Sequence, residues 1–555
     1  MDEKNNLVKK RSGFLYILIP ALLIFIGLLG WQFYKYKLAN KNITKLVDEK
    51  SNGLYSIHYD SLFIDELSGI LHVKNIKIIP DTDVYNQLVK GKKNPSVLLR
   101  LSIPSLDIIR LQTPKALLSK QIDGNKIEIS NADIELDLNN FLKDSSTYNP
   151  AKDITKELLG KFLHIKIDSV RINNSNLLVK NIPSGNEVCK IVNASFLLTD
   201  LLIDSVSKND TSRILFSKNI NVDCDKIVLS SKIKDYHFDI EKIKFASSNN
   251  TLHIGSFKII PRLPEAKFES VWPVQRDRYD FVMDDIVLEN INRQSMMQKI
   301  IEADNLIINK SSFKIYRDLS YPRDTLSRLG KYPQQMLVKI PVQFLLRKIT
   351  FVKSFIEYKE KNPKSDSAGK VQFYDVQATM NNVTNISKEI KKNNESVLVF
   401  NSKFLNKAAI HAKLIMFLNN PKGKFSIAGN IGAMDATALN PLTKPMGLAK
   451  IESGKINSVD FNFMGNDSAT DGKLTILYDD MKVSLLKKND EENKYTKKFL
   501  PSLFASALIK KSNPEKNQPP RVADVHFKRN MNKSFFNLLW KSIFTGIKES
   551  AGMKL

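Results

Sequence analysis

The chain has 555 residues, 42% hydrophobic and 26% charged, which excludes a disordered polymer and leaves room for several ordinary domains. Its formal net charge of +26 suits a phosphate-bearing partner, nucleic acid or an anionic membrane surface, unless the Lys and Asn richness reflects coding bias alone. Two cysteines, Cys189 and Cys224, exclude a disulfide framework; one bridge is open, and two unpaired buried thiols are the expected state.

Lys and Arg are spread along the chain rather than gathered in one arm, so no nucleic-acid partner is expected. The seven histidines at 58, 72, 164, 237, 253, 411 and 526 have no metal-ligand spacing, so neither a metal site nor a cofactor is expected.

Residues 12–34, "SGFLYILIPALLIFIGLLGWQFY", form an uncharged run of 23. As a helix this run is about 34 Å long, enough for a hydrocarbon core of roughly 30 Å. Trp31, Tyr34 and Tyr36 stand at its far end, where amphipathic rings favour the membrane interface. Bulky residues follow, with no small-residue cleavage site, so the run is expected to be an uncleaved signal anchor. Lys4, Lys9, Lys10 and Arg11 precede it and Lys35, Lys37, Lys41 and Lys45 follow. That near tie leaves orientation open on charge alone.

Past residue 50 the apolar period is mostly two, the signature of half-buried strands. "LHIKI" (163–167), "LHIGSFKII" (252–260) and "VDFNF" (459–463) are examples. Short helical stretches begin at "AKDITKELLGKF" from 151 and "NRQSMMQKII" from 292.

One pattern recurs: apolar, x, apolar, x, x, small, x, apolar, x, apolar. It fits residues 127–136 (Ile127, Ile129, Ile134, Leu136), 170–179 (Val170, Ile172, Leu177, Val179), 306–315 (Leu306, Ile308, Phe313, Ile315) and 349–358 (Ile349, Phe351, Ile356). Copies start 43 residues apart twice, and 243–254 is a looser copy with two extra residues. A two-residue turn at Asn174-Ser175 would set Ile172 opposite Leu177 and Val170 opposite Val179. The pattern therefore predicts hairpins oily on one side, because directly opposed residues share a face.

Such faces must be covered. Either two of them close into a β-sandwich, or a long curled sheet presents an apolar groove to lipid tails. Burial is worth about 0.8 kcal/mol per CH₂, so two tails of roughly 16 carbons would cost on the order of 25 kcal/mol to expose. Only a long continuous face can shield them. The apolar positions named above are the lipid-facing candidates.

Loops are expected at 205–213 and 361–370, and the charged run 487–498 and Pro-rich 513–520 are read as ending the β body. From Ser534, an expected N-cap, Phe536, Leu539, Trp540, Ile543 and Ile547 follow helical spacing, with Lys541 and Lys548 alongside. From 521 to 555 there are seven Lys/Arg against two Asp/Glu. This basic amphipathic helix reads either as a membrane-surface helix or as a helix docked back on the sheet, closing its open end.

Three features together resemble one family. "YSIHYDSLFIDELSGILHVKNIKIIPD" (55–81) is similar to the opening strands of AsmA-like proteins. Residues 439–488 resemble the AsmA-like C-terminal region at Asn440-Pro441-Leu442, Ser453-Gly454-Lys455, Gly465-Asn466, Gly472-Lys473-Leu474 and Tyr478 to Leu486. The single N-terminal span fits as well.

The resemblance implies a Gram-negative inner-membrane protein with one span, its N-terminus inside and its body in the periplasm. It also implies a part in outer-membrane biogenesis and phospholipid movement along a hydrophobic β groove. The expected fold is mainly β: one transmembrane helix, an elongated, curled antiparallel β-sheet body with a few short helices, and a C-terminal amphipathic helix. The expected divisions are a short cytoplasmic tail at 1–11, the anchor at 12–36, a β-groove region at 45–340, the AsmA-like C-terminal region at 341–488, and a linker with the helix at 489–555.

Two readings compete: a lipid-handling envelope protein, or a membrane-anchored scaffold or assembly factor with a closed core. An enzyme is not expected. There is no nucleophile elbow, phosphate loop or paired acid motif, and "YDD" at 478–480 reads as a turn between strands.

Overall fold

A computed structural model describes residues 43–91, 95, 97–112, 119–139, 159, 162–207, 210, 212–214, 216–230, 235–363, 365, 367–447, 449–489, 494–497 and 509–552. The expected anchor lies outside the described residues, as does nearly all of the helical stretch from 151. Among the described residues no helix is long and apolar enough to cross a membrane.

The protein is mainly β. The strands are β1 (Tyr55–His58), β2 (Ser61–Asp65), β3 (Ile70–Pro80), β4 (Val97–Ile109), β5 (Gln121–Ser130), β6 (Asp133–Leu138), β7 (His164–Asn181), β8 (Asn186–Ile203), β9 (Ser217–Ser230), β10 (Tyr236–Ala246), β11 (Thr251–Pro261) and β12 (Arg278–Glu289). They continue with β13 (Ile300–Asp318), β14 (Gln343–Lys361), β15 (Ala368–Thr384), β16 (Glu395–Phe404), β17 (Ala408–Phe417), β18 (Phe425–Ile431), β19 (Met434–Asp435), β20 (Ala449–Gly465), β21 (Ala469–Asn489), β22 (Lys494–Lys497) and β23 (Ala523–Lys528). Helices are short: α1 (Ile43–Ser51), α2 (Thr82–Lys90), α3 (Glu265–Phe268), α4 (Arg293–Met297), α5 (Pro333–Leu337), α6 (Ser387–Lys392), α7 (Asn440–Gly447) and α8 (Phe535–Ser550).

The chain divides into two compact units, the described parts of Met1–Phe257 with Glu289–Ile300, and Lys258–Leu288 with Ile301–Leu555. The expected boundary at 340/341 falls inside the second.

In the first unit β3, β4 and β5 pair antiparallel. β5 and β6 both pair parallel with β7, and β8, β9 and β10 follow antiparallel. The sheet is therefore mixed, not purely antiparallel as expected. In the second unit β14 to β18 and then β20, β21 and β23 pair antiparallel. β13 and β14 run side by side in the same direction, because Asp304–Arg347, Ser311–Ser354 and Asp318–Lys361 all meet at a constant offset of 43.

The recurring pattern does not make hairpins. Residues 170–179 lie within one unbroken strand, β7, and the same holds for 306–315 in β13 and 349–358 in β14. Residues 127–136 span β5 and β6, which share neighbours on both sides. The two central residues form a β-bulge: Asn131, Asn174 and Lys353 take φ of 57°, 48° and 43°, and the pairing register slips at Ile172/Ser175 and Phe351/Ser354. A bulge absorbs one residue, so the apolar positions on either side still point one way. The predicted common face is present, and its cause is a bulge. Only the looser copy turns, at 247–250 between β10 and β11.

Bulges sit at matching heights on neighbouring strands. Pro104 lies mid-strand in β4, where it can donate nothing. Level with it stand the left-handed Asn75 on β3 (φ 54°) and Asn131 between β5 and β6 (φ 57°), with the pairing register the same on either side. The polar side of this line is stitched by side chains, Asn176 Nδ2 to Asp133 at 2.8 Å and Asn193 Nδ2 to Asp225 at 2.9 Å.

"YDD" is likewise no turn. Tyr478 to Asp480 lie within β21, and the left-handed Asp480 (φ 51°) kinks it. The Pro-rich stretch is not a loose linker either. Fully buried Asn513 donates through Nδ2 to Ile476 O at 2.6 Å and to Arg521 O at 3.1 Å. The chain then returns to the sheet as β23 beside β21.

Candidate functional site

Each unit carries one continuous apolar face. In the first, one row crosses seven strands as Val73, Leu106, Ile129, Ile172, Phe196, Val222 and Phe245, each the register partner of the next. A second runs Leu101, Ile134, Leu177, Ile191, Ile227 and Ile240.

Burial is uneven along these rows. Ile127, Ile129, Ile134, Leu136, Val170, Ile172, Leu177 and Val179 are all 0–9% exposed, a closed core in which each aliphatic chain is worth about 1.5–3 kcal/mol. Phe196, Val222, Ile227 and Phe245, further along the same face, are only half-buried. Phe196, Val222 and Phe245 also line a depression of about 470 Å³ bordered by Arg171, Asn221 and His253.

The bulge-borne small side chains keep the core tight. Ser175 is buried with its Oγ 3.2 Å from the Ala132 amide that donates to it, and Ala194 faces it from β8. Cys189 and Cys224 are both buried and free. Burial and the neighbouring thiol push Cys189 up to about 11, leaving it unreactive at neutral pH.

In the second unit the sequence candidates behave differently. Ile308 is 4% exposed, but Leu306, Phe313, Ile315, Ile349, Phe351 and Ile356 are only half-buried. Aromatic rings form a chain across three strands: Tyr279 to Phe281 at 5.5 Å, Phe281 to Phe313 at 5.2 Å, and Phe313 to Phe351 at 6.0 Å. The face continues through Met380, Leu398, Leu414, Ile427 and Phe463.

Its far end is closed. Buried Tyr332 packs with Leu414, Met416, Phe425, Phe535 and Leu538. Arg529, paired with Asp467 at 2.7 Å, lies 4.2 Å from the Tyr332 ring centre.

Helix α8 supplies the rest of this closure. Ser534 caps it as expected, accepting from the Asn537 amide. The buried positions are Phe535, Leu538, Ser542, Gly546 and Ser550, a stripe of mostly small residues every fourth position. Ser542 Oγ meets Thr470 Oγ1, and Ser550 Oγ accepts from the Ile476 amide at 3.1 Å. Any Cβ at Gly546 would lie 2.7 Å from Leu474 Cβ and 2.8 Å from Val525 Cγ2. Leu539, Ile543 and Ile547 flank this stripe and pack on the sheet, half-buried.

The outer side of α8 is aromatic and basic. Phe536 is 68% exposed, and Trp540 stacks on exposed Phe544 at 6.3 Å. Lys541 and Lys548 lie over the Phe544 ring at 5.8 and 5.3 Å. Hydrophobic spacing alone missed the docked face because serine and glycine carry no apolar signal.

At the end of the aromatic row the face turns polar. Arg317, following Phe313 and Ile315 in alternation, pairs with Asp277 at 2.7 Å. Tyr358 Oη donates to Glu360 at 2.6 Å. Burial, then the Glu360 charge, holds the Tyr358 phenol far above its usual range. Nearby Glu269 is buried, its Oε1 accepting from the Asp318 amide at 2.7 Å while Oε2 has no partner. Burial pushes its carboxyl up to about 7. The sequence reading missed this polar rim, since its residues belong to no spaced motif.

No protein-family model matches this chain, and no curated protein matches it.

Proposed function

We propose that this is a non-enzymatic, inner-membrane-anchored envelope protein of the AsmA-like kind. Residues 12–36 span the membrane, and the β body binds or moves phospholipid in the periplasm as part of outer-membrane biogenesis. The observation that carries the reading is the partly exposed aromatic row from Tyr279 to Phe351. It prolongs an apolar face yet is not sealed as Ile129 and Ile172 are. Rows of partly exposed Phe, Ile and Met fit acyl chains, which need a long apolar surface rather than a point contact.

The outer aromatic and lysine side of α8 supports a second contact, with an anionic membrane surface. The rival reading, a membrane-anchored scaffold or assembly factor for envelope proteins with a closed core, is favoured by the complete burial of the 127–136 and 170–179 candidates.

Site-specific photo-crosslinking in phosphate-labelled cells separates the two. A probe replaces Phe313 on the apolar face, with exposed Lys314 on the opposite face as control. Labelled phospholipid at 313 and not at 314 is the expected result. A folded protein with no lipid at either position would leave the scaffold.

A further inference from the structure

Three segments of the second unit that carry four cations are held together where the aromatic row ends. The Gln275 amide donates to Pro322 O at 2.8 Å, two residues from the Asp277 that pairs with Arg317, and the Arg328 amide donates to Met531 O at 2.7 Å, two residues from Lys533. Arg317 shares its face of β13 with Phe313 and Ile315. It is tied to Asp277 through Nη2, while its Nε is buried with no partner. Arg328 lies 3.7 Å from Asp324. Lys533 and Arg323 make no hydrogen bond or ion pair through their side chains among the described residues.

Burial and the guanidiniums of Arg317, Arg323 and Arg328 hold the Lys533 ammonium below its ordinary range, against the opposing pull of the Glu360 carboxylate. Of the acidic groups here, Asp277 pairs with Arg317, Asp324 with Arg328, and Glu360 accepts from Tyr358. The neutral phenol does not cancel Glu360, so four cations stand against three carboxylates and one positive charge is left over beside an apolar surface. An uncompensated, partly desolvated cation is costly unless an anion completes it.

The cluster is held in place. The Arg328 amide donates to Met531 O at 2.7 Å, and Arg529 Nη2 donates to Arg328 O at 2.8 Å. Arg529 is itself buried against Asp467. Residues 328 and 533 therefore cannot separate to relieve their repulsion. Such preorganisation of like charges suits recognition of an oxyanion whose charge is shared over several oxygens. The four residues from Phe313 to Arg317 span about 13 Å of strand, comparable to a glycerol backbone with its first methylenes.

We propose that Arg317, Arg323, Arg328 and Lys533 form the head-group end of a lipid site. They bind the phosphate of a phospholipid whose acyl chains lie along Phe313, Phe281 and Phe351. This assignment rests on the reading of the apolar face as phospholipid-binding and adds to it the place where the phosphodiester is held and the ligand's orientation.

The full chain, purified in detergent with the photo-probe at 313, is offered vesicles containing phosphatidylglycerol and chain-matched diacylglycerol. The comparison is the same protein with Lys533→Gln and Arg323→Gln, two side chains that make no hydrogen bond or ion pair among the described residues; circular dichroism verifies its fold. The expected result is preferential capture of phosphatidylglycerol, falling about tenfold in the double variant while diacylglycerol capture holds. Equal phosphatidylglycerol capture by both proteins would overturn the head-group site and leave the lipid-binding face standing. Capture of neither lipid by either protein would overturn the face and the site together. Binding of inorganic phosphate that the double variant loses, with both lipids captured alike, would assign the cluster to free phosphate and overturn the lipid assignment.

Discussion

Ser311 and Ser354, 43 residues apart, meet hydroxyl to hydroxyl at 2.5 Å in the interior of the second unit, Ser354 on the bulge of β14. The contact shows what the small position of the recurring pattern is for. Neighbouring strands come close enough there that a short side chain fits, and a hydroxyl finds its partner in the next copy.

Ser354→Ala alone leaves the Ser311 hydroxyl buried without its acceptor and should cost about 1–2 kcal/mol, whereas replacing both serines by alanine should cost less than the two single changes added. Urea denaturation of the four proteins gives the coupling. Additive costs would mean the hydroxyls do not interact. Ser354→Leu overpacks the same spot and should cost about 1–3 kcal/mol.

Burial along the apolar faces predicts opposite responses to one chemical change. Ile172→Asp places a carboxylate in a closed core and should destabilise the first unit by several kcal/mol. Phe313→Asp, on the half-buried row, should leave the protein folded and reduce lipid capture. Thermal melts together with lipid extraction read both, and an unfolded Phe313→Asp protein would argue for a sealed core.

Gly546 sits where a side chain would strike Leu474 and Val525. Gly546→Leu should loosen α8 from β21 and β23, costing about 2–3 kcal/mol and raising proteolytic sensitivity around 530–552. Phe536→Ser lies on the outer side and should leave stability within about 0.5 kcal/mol. It should weaken flotation with anionic vesicles. Unchanged flotation would leave α8 with its closing role alone.

Glu269 gives a pH dependence whose sign is set by burial. Its folded-state carboxyl is raised to about 7 from an ordinary 4.5. The stabilisation from holding that proton is fully present below pH 4.5 and is lost as pH rises through 7. The limiting slope is about 1.4 kcal/mol per pH unit. Glu269→Gln keeps the neutral shape and should flatten this part of the profile, so the variant gains on wild type between pH 5 and 8. A parallel pair of stability–pH curves would show that Glu269 does not titrate in that window.

Much of the architecture was legible because period two survives in the sequence. Ile127 to Leu136 and Val170 to Val179 announce a one-sided strand surface, and that surface exists. Asn174-Ser175 misled because asparagine serves a hairpin turn and a left-handed bulge equally well; only the partner strand decides, and β8 pairs straight through. The direction of β7 beside β5 was invisible for the same reason, since parallel and antiparallel neighbours leave similar side-chain spacing. The docked face of α8 went unread because Ser542, Gly546 and Ser550 work by being small. Arg317, Arg323, Arg328 and Lys533 come from three separate segments, which only the fold brings together.

The bulges give the chain a kind of reading frame. Just upstream of Asn174 the inward positions are even-numbered, Val170 and Ile172; downstream they are odd, Ser175, Leu177 and Val179. Deleting that one asparagine would restore strict alternation and keep Leu177 and Val179 inward, but slide them one residue against their partners on β6 and β8. Deleting a residue on either side of it would act as a frameshift acts on codons, exchanging inside for outside. Insertions and deletions in this protein should therefore be tolerated in its turns, and at the bulge line only when they come in pairs.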